Sequence, residues 1–288
     1  MKIVALTSSI ELAKKVSENM KIGLVQPQER RFPDGEMYIH VEDDLSGEDV
    51  FIIGNTRKDE DIIEMLLSIS AVSDYSPKSL NLIIPYFGYA RQHKRYNRGE
   101  PVSSQVFAEM LSLHSDTICT VEIHDEQTLK YSQKPFSNLH VFSSIAKHFI
   151  DKQIDYVVSP DDGGLDRAKT VASELNTEYF YIDKKRIDDR TVEMKMPDVK
   201  VNGKNVLIVD DIISTGGTIA MSSEILRKKG ANKIYVSAVH GLFANGADEK
   251  ILKYSDEINV TDTVQGKYTS ISVYEEVSDY IKSFYVRA

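Results

Sequence analysis

The chain has 288 residues, 27% charged and 41% hydrophobic, which excludes disorder and leaves room for two domains of ordinary size. Its net charge of -9 excludes a protein that coats nucleic acid, although a local basic cluster can still take a phosphorylated small molecule. No apolar run is long enough to cross a bilayer, and the single cysteine, Cys119, rules out an internal disulfide and suits the cytoplasm.

In chain order, MKIVALTSS reads as a first strand rather than a signal peptide. The first half offers strands at IVAL, VFIIG, LNLIIP and TICTVEI, the last holding Cys119 as a buried structural thiol. The second half offers DYVVS, EYFYI, NVLIVD and KIYVSAV. Between them EDIIEMLLSISAVS and GGTIAMSSEILRKKG have helical spacing of apolar residues, and the second closes on Lys-Lys-Gly, a basic C-terminus with a glycine cap. Alternating strands and helices predict an α/β protein with mainly parallel sheets flanked by helices.

The halves read as two copies of one plan. VFIIGNTR from Val50 matches YVVSPDDG from Tyr156, LIIPYFGYARQ from Leu82 matches VLIVDDIISTG from Val206, and TICTVEIH matches KIYVSAVH. In this alignment the polar stretch from Lys184 to Val201 is an added loop of the second half. The expected domains are residues 1–141 and 142–288, with the extreme C-terminus returning to pack on the first.

Residues 206–218, VLIVDDIISTGGT, carry the clearest chemistry. A strand ends in Asp210 and Asp211, and Ser214, Thr215, Gly216, Gly217 and Thr218 lead into a helix. Ligands bind at the carboxyl ends of strands in open α/β sheets. The glycines let backbone approach an anion, and the helix N-terminus presents unpaired N–H groups to phosphate. Two carboxylates would repel that phosphate, so they should face neutral hydroxyls or a divalent metal. A phosphorylated sugar satisfies both requirements. No GxxxxGK[ST] string occurs, so a P-loop kinase is unsupported.

This string resembles the phosphoribosyl pyrophosphate-binding motif shared by type I phosphoribosyltransferases and ribose-phosphate diphosphokinases. Four further segments resemble the diphosphokinases specifically. In RRFPDGEMYIHV, Phe32, Asp34 and Glu36 match positions that meet adenine and ribose. In IPYFGYARQHKRYNRGEP, Arg91 and Gln92 match nucleotide-binding positions. In VVSPDDGGLDRA, Asp161 matches a site implicated in metal and ribose binding. In IDKKR, Lys184 and Arg186 match the two cations of a catalytic loop. His124, between Glu122 and Asp125, is similar to a family histidine that reaches the triphosphate and its metal.

The resemblance implies two tandem type I phosphoribosyltransferase-like domains, the first holding ATP and the second ribose 5-phosphate. It also implies Mg²⁺ and a homodimer or higher homo-oligomer. The implied reaction moves the diphosphoryl group of ATP to C1 of ribose 5-phosphate, with no nucleic acid or membrane partner. Chemically, an Arg and a Phe can sandwich a purine, and diphosphoryl transfer needs cations where charge builds up. On an extended loop, Lys184 and Arg186, two apart, would point to the same side.

Departures from the family pattern are His93, where an acid is common, a less Gly-rich segment after His124, and a different loop after Arg186. Two rival readings remain. A phosphoribosyltransferase would leave the first domain idle, and a regulatory binder would not need a cationic closing loop.

Overall fold

The eight strands expected from apolar runs all form, and most are buried on both faces, as parallel strands covered by helices must be. The computed structural model describes residues 1–186 and 192–287. They divide into two compact units. The first is Met1–His140 with Thr263–Gln265 and Val273–Ala288; the second is Val141–Asp262 with Gly266–Ser272.

The first unit runs β1 (Lys2–Ala5), α1 (Ile10–Met20), β2 (Gly23–Val25), β3 (Gln28–Arg31), β4 (Met37–His40), β5 (Asp49–Ile53) and α2 (Asp59–Ser73). It continues through β6 (Ser79–Ile84), α3 (Ser103–Ser112), β7 (Thr117–Val121) and β8 (Phe136–Leu139). The chain then forms α4 (Phe142–Phe149), β9 (Tyr156–Ser159), α5 (Leu165–Leu175), β10 (Glu178–Tyr181), β11 (Asp183–Arg186), β12 (Val192–Lys195) and β13 (Asn205–Ile213). It ends with α6 (Gly217–Lys228), β14 (Lys233–Gly241), α7 (Ala247–Leu252), β15 (Glu257–Thr261), β16 (Thr269–Ile271) and α8 (Tyr274–Arg287).

Each unit has a six-stranded parallel sheet, in the order β2-β1-β5-β6-β7-β8 or β10-β9-β13-β14-β15-β16. In the first, Val50, Ile52, Leu82 and Ile84 pack with Met65 and Val72 of α2 and Leu111 of α3. On the same sheet, Phe51 meets Phe284 of α8 edge-to-face at 5.2 Å. In the second, Val206, Ile208, Val236 and Val260 pack with Ile219 and Leu226 of α6 and Ile251 of α7.

Strand order corrects the alignment of the two halves. By topology β1 corresponds to β9, β5 to β13, β6 to β14 and β7 to β15, so the alignment read from sequence is displaced by one strand. Successive buried strands are alike in composition, and a one-strand slip preserves the match. The correct register also removes the added loop. The antiparallel hairpin β11–β12 is the counterpart of the hairpin β3–β4, since each follows an edge strand and precedes the third strand of its sheet. The reading of residues 187–191 as part of that loop lies outside the described residues. A further symmetry is in the helices. The helix after the sixth strand of each half belongs to the other unit, α4 packing on α5 and α8 on α1.

Close backbone approach fixes the turn after β6. The Gly88 N–H donates to Thr56 Oγ1 at 2.9 Å, and a Cβ on Gly88 would lie 1.9 Å from the Thr56 carbonyl oxygen. Gly88→Ala is expected to cost about 2–3 kcal/mol of stability, read as a lower urea midpoint at unchanged slope. An unchanged midpoint would mean that this approach is not needed.

Candidate active site

The second unit gathers its polar groups at the carboxyl ends of β9 and β13. Sequence reading ended the strand at Asp210 and Asp211, but β13 continues to Ile213 because β14 runs beside it, through Asp210↔Ala238 and Ile213↔Gly241. The two carboxylates therefore stand within paired strand. Asp211 is 4% exposed, and its N–H donates to Asp210 Oδ1 at 2.9 Å. Burial, then the neighbouring Asp211 charge, pushes the Asp210 carboxyl well above the usual carboxylate range. Asp161 adds to that push, and Arg167 opposes it.

Beyond Ile213 the chain turns through Ser214 and Thr215 to Gly216, whose φ of 71° is left-handed. A Cβ there would lie 3.0 Å from both the Cβ and the carbonyl oxygen of Ala247 at the start of α7. The segment after β14 braces the turn: the Leu242 and Phe243 N–H groups donate to Ile213 O, and Ala244 N–H donates to Ser214 O at 2.9 Å. Gly217 and Thr218 then open α6, whose first-turn N–H groups lack intrahelical acceptors. A braced turn of small residues feeding a helix N-terminus is a fitting seat for a phosphate.

Asp161 lies just past β9 with an extended backbone. Among the described residues, no group of three or more His, Cys, Asp or Glu side chains is disposed to hold a metal ion. A Mg²⁺ ion that keeps waters and takes phosphate oxygens needs only one or two protein oxygens. Asp161 beside the Asp210–Asp211 pair fits that demand. Lys184 and Arg186 occupy alternate register positions of β11, opposite Met194 and Val192 of β12. Their side chains lie outside the described residues.

In the first unit, Phe32, Asp34 and Glu36 lie on the turn joining β3 to β4. Phe32 is 44% exposed, so it is not a core aromatic. Phe32 N–H donates to Glu36 O at 2.9 Å, and Glu36 N–H to Asp34 Oδ1 at 3.3 Å. Sequence reading overlooked what orders this turn. Arg30 sits over the Tyr38 ring at 4.1 Å and the Phe32 ring at 5.7 Å. The alternation Arg30, Phe32 across from Tyr38 was legible as one face of a hairpin.

Arg91 is exposed, whereas the Gln92 carbonyl Oε1 accepts from Ser103 Oγ at 2.7 Å and ties this segment to α3. His124 is exposed just after β7. The structure brings it to the Arg91–Gln92 segment through His93, whose ring lies 6.2 Å from that of His124. His93 Nε2 stands 3.3 Å from Asp125 Oδ2. The departure at His93 thus has a local partner, which an isolated motif could not reveal. Arg167, reaching the Asp210–Asp211 pair, is the other overlooked residue; its signal was the basic position in SPDDGGLDRA.

Residues 1–114 match the family model described as the N-terminal domain of ribose phosphate pyrophosphokinase, and residues 138–275 match the phosphoribosyl transferase domain. The chain is 64% identical over 281 residues to a ribose-phosphate pyrophosphokinase of Thermoplasma acidophilum, covering 98% of each. It is 41% identical over 257 residues to one of Pyrococcus abyssi, covering 88% of this chain and 90% of that one. Among solved structures, phosphoribosylpyrophosphate synthetase from Mycobacterium smegmatis matches with a TM-score of 0.86 at 26% identity, over 100% of this chain and 99% of the other.

Proposed function

The chain belongs to the ribose-phosphate pyrophosphokinase family, and from that premise we infer that it transfers the diphosphoryl group of ATP to the C1 hydroxyl of ribose 5-phosphate. The products are 5-phosphoribosyl 1-pyrophosphate and AMP. The observation that carries the reading is the braced Ser214–Thr218 turn opening α6 directly after the Asp210–Asp211 pair, of which Asp211 is buried.

In this reading the 5-phosphate accepts hydrogen bonds from the α6 N-terminus and the hydroxyls of Ser214, Thr215 and Thr218. The sugar hydroxyls meet Asp210 and Asp211. In the first unit, Phe32 stacks on adenine, Asp34 and Glu36 accept from ribose and the exocyclic amine, and Arg91, Gln92 and His124 receive the nucleotide. The C1 oxygen forms a bond to the β-phosphorus while the α–β bridging bond breaks; the hydroxyl proton is lost and AMP leaves. Lys184 and Arg186 offset charge on the transferring oxygens. Mg²⁺ would supply charge neutralisation on the triphosphate; Asp161 is the residue of the second unit that would hold it, and His124 that of the first.

A homodimer or larger homo-oligomer accords with a nucleotide hairpin as exposed as β3–β4, and sedimentation at micromolar concentration tests it. A cytoplasmic setting accords with the lone, buried Cys119. Among the described residues, no helix is long and apolar enough to cross a membrane.

The test is a phosphorus NMR time course with Mg²⁺, ATP and ribose 5-phosphate and no nucleobase. AMP and a sugar-linked diphosphate should appear in equal amounts, and chelating the metal should stop both. Unchanged ATP would sink the reading, and turnover only when phosphoribosyl pyrophosphate and a base are supplied would favour a transferase.

A further inference from the structure

We propose that Arg167 is a positioning residue for the sugar phosphate: its guanidinium clamps Asp210 and Asp211 in the arrangement that receives the ribose hydroxyls. The inference rests on the reading of that pair as the ribose site and extends it to a residue on a different element.

Arg167 is the third residue of α5, and its side chain reaches the end of β13. Nη1 lies 3.2 Å from Asp211 Oδ1 and Nη2 lies 3.2 Å from Asp211 Oδ2, a two-pronged pairing. The same Nη1 is 3.6 Å from Asp210 Oδ1, the oxygen that also accepts the Asp211 N–H at 2.9 Å. One guanidinium therefore touches both carboxylates, and the Asp210 oxygen is held from two directions. The Arg167 side chain is 25% exposed and that of Asp211 6%, so water screens the group weakly.

Two consequences follow from the charges. Adjacent carboxylates repel each other, and left alone they would splay or take up a proton. They would also repel a ligand that carries a phosphate. A fixed guanidinium offsets that negative charge and holds the carboxylates in one arrangement. Because the fork is planar and pairs in two places, a lysine at this position keeps the charge but loses the geometry. The cluster stands at the carboxyl ends of the strands, where ligands bind in open α/β sheets.

The experiment measures KM for ribose 5-phosphate and for ATP separately in the wild type, R167Q and R167K, with thermal unfolding of each. R167Q should raise KM for ribose 5-phosphate on the order of 30-fold, the loss of charged hydrogen bonds, while KM for ATP stays close to wild type. R167K should fall between the two. Equal changes in both constants, or none in folded R167Q, would overturn the clamp. Should R167Q fail to fold, R167K decides: a selective rise for ribose 5-phosphate supports the proposal, and a rise shared with ATP overturns it. The wild type in the same series reports on the underlying reading, since only its inactivity, not an indifferent R167Q, would remove the ribose site itself.

Discussion

Lys184→Ala is expected to lower kcat on the order of 10³-fold while leaving KM for ATP and ribose 5-phosphate within a small factor of wild type. Diphosphoryl transfer places growing negative charge on oxygens that are neither fully bound to the old partner nor to the new one. A cation supplied only at that moment stabilises the transition state more than the ground state, so its removal registers in kcat. Lys185 supplies a built-in control. Lys184 and Arg186 hold alternate positions on β11, with Lys185 between them at the position opposite Glu193. Neighbours on a strand alternate faces. Arg186→Ala should therefore resemble Lys184→Ala, and Lys185→Ala should leave kcat nearly intact. Rapid-quench measurement of AMP formation in one turnover would check this. A loss in Lys185→Ala as deep as in Lys184→Ala would mean that net charge, not position, matters.

The second large effect concerns two adjacent glycines that sequence cannot tell apart. Gly216→Val should raise KM for ribose 5-phosphate about 100-fold and cost about 2–4 kcal/mol of stability, because the side chain meets a left-handed backbone and a packed neighbour together. The neighbour is Ala247, 3.0 Å from where the first carbon would stand. Gly217 has no positive φ, and nothing lies within 4 Å of a Cβ added there. Gly217→Ala should leave the thermal midpoint near wild type. If the phosphate sits against this turn, the new methyl group still raises KM for ribose 5-phosphate and leaves KM for ATP alone. Thermal melts and separate KM determinations on the two variants distinguish a fold defect from a blocked anion seat. Indifference of both KM values to Gly217→Ala would move the phosphate away from this residue.

The hairpins β3–β4 and β11–β12 hold the same place in chain order in their respective halves, each a two-stranded sheet of its own, yet their residues have diverged. One turn carries Phe32, Asp34 and Glu36; the other strand carries Lys184 and Arg186. In the proposed reaction the first hairpin serves recognition of a flat base and the second serves charge at the transferring phosphorus. A common scaffold can thus carry two kinds of chemistry because each hairpin lies outside its six-stranded sheet.

The sequence by itself determined the α/β class, the eight principal strands and the strand–turn–helix at residues 206–218. Each of these is local: apolar runs bury on both faces of a parallel sheet, and a strand followed by Ser-Thr-Gly-Gly has few conformations open to it. Edge strands such as β2, β8 and β16 were not marked, since short, partly polar strands gain their pairing from neighbours far along the chain. Only the tertiary structure decided the register of the two halves, because buried strands resemble one another and only pairing order separates them. It alone showed which helices α4 and α8 pack on, α5 and α1, since an apolar helix face does not name its partner. It alone set Arg167 against Asp210 and Asp211, and His93 against Asp125, because 43 and 32 residues of chain separate the nearer members of those pairs. Side-chain chemistry is written in sequence; the meeting of distant charges is settled by packing.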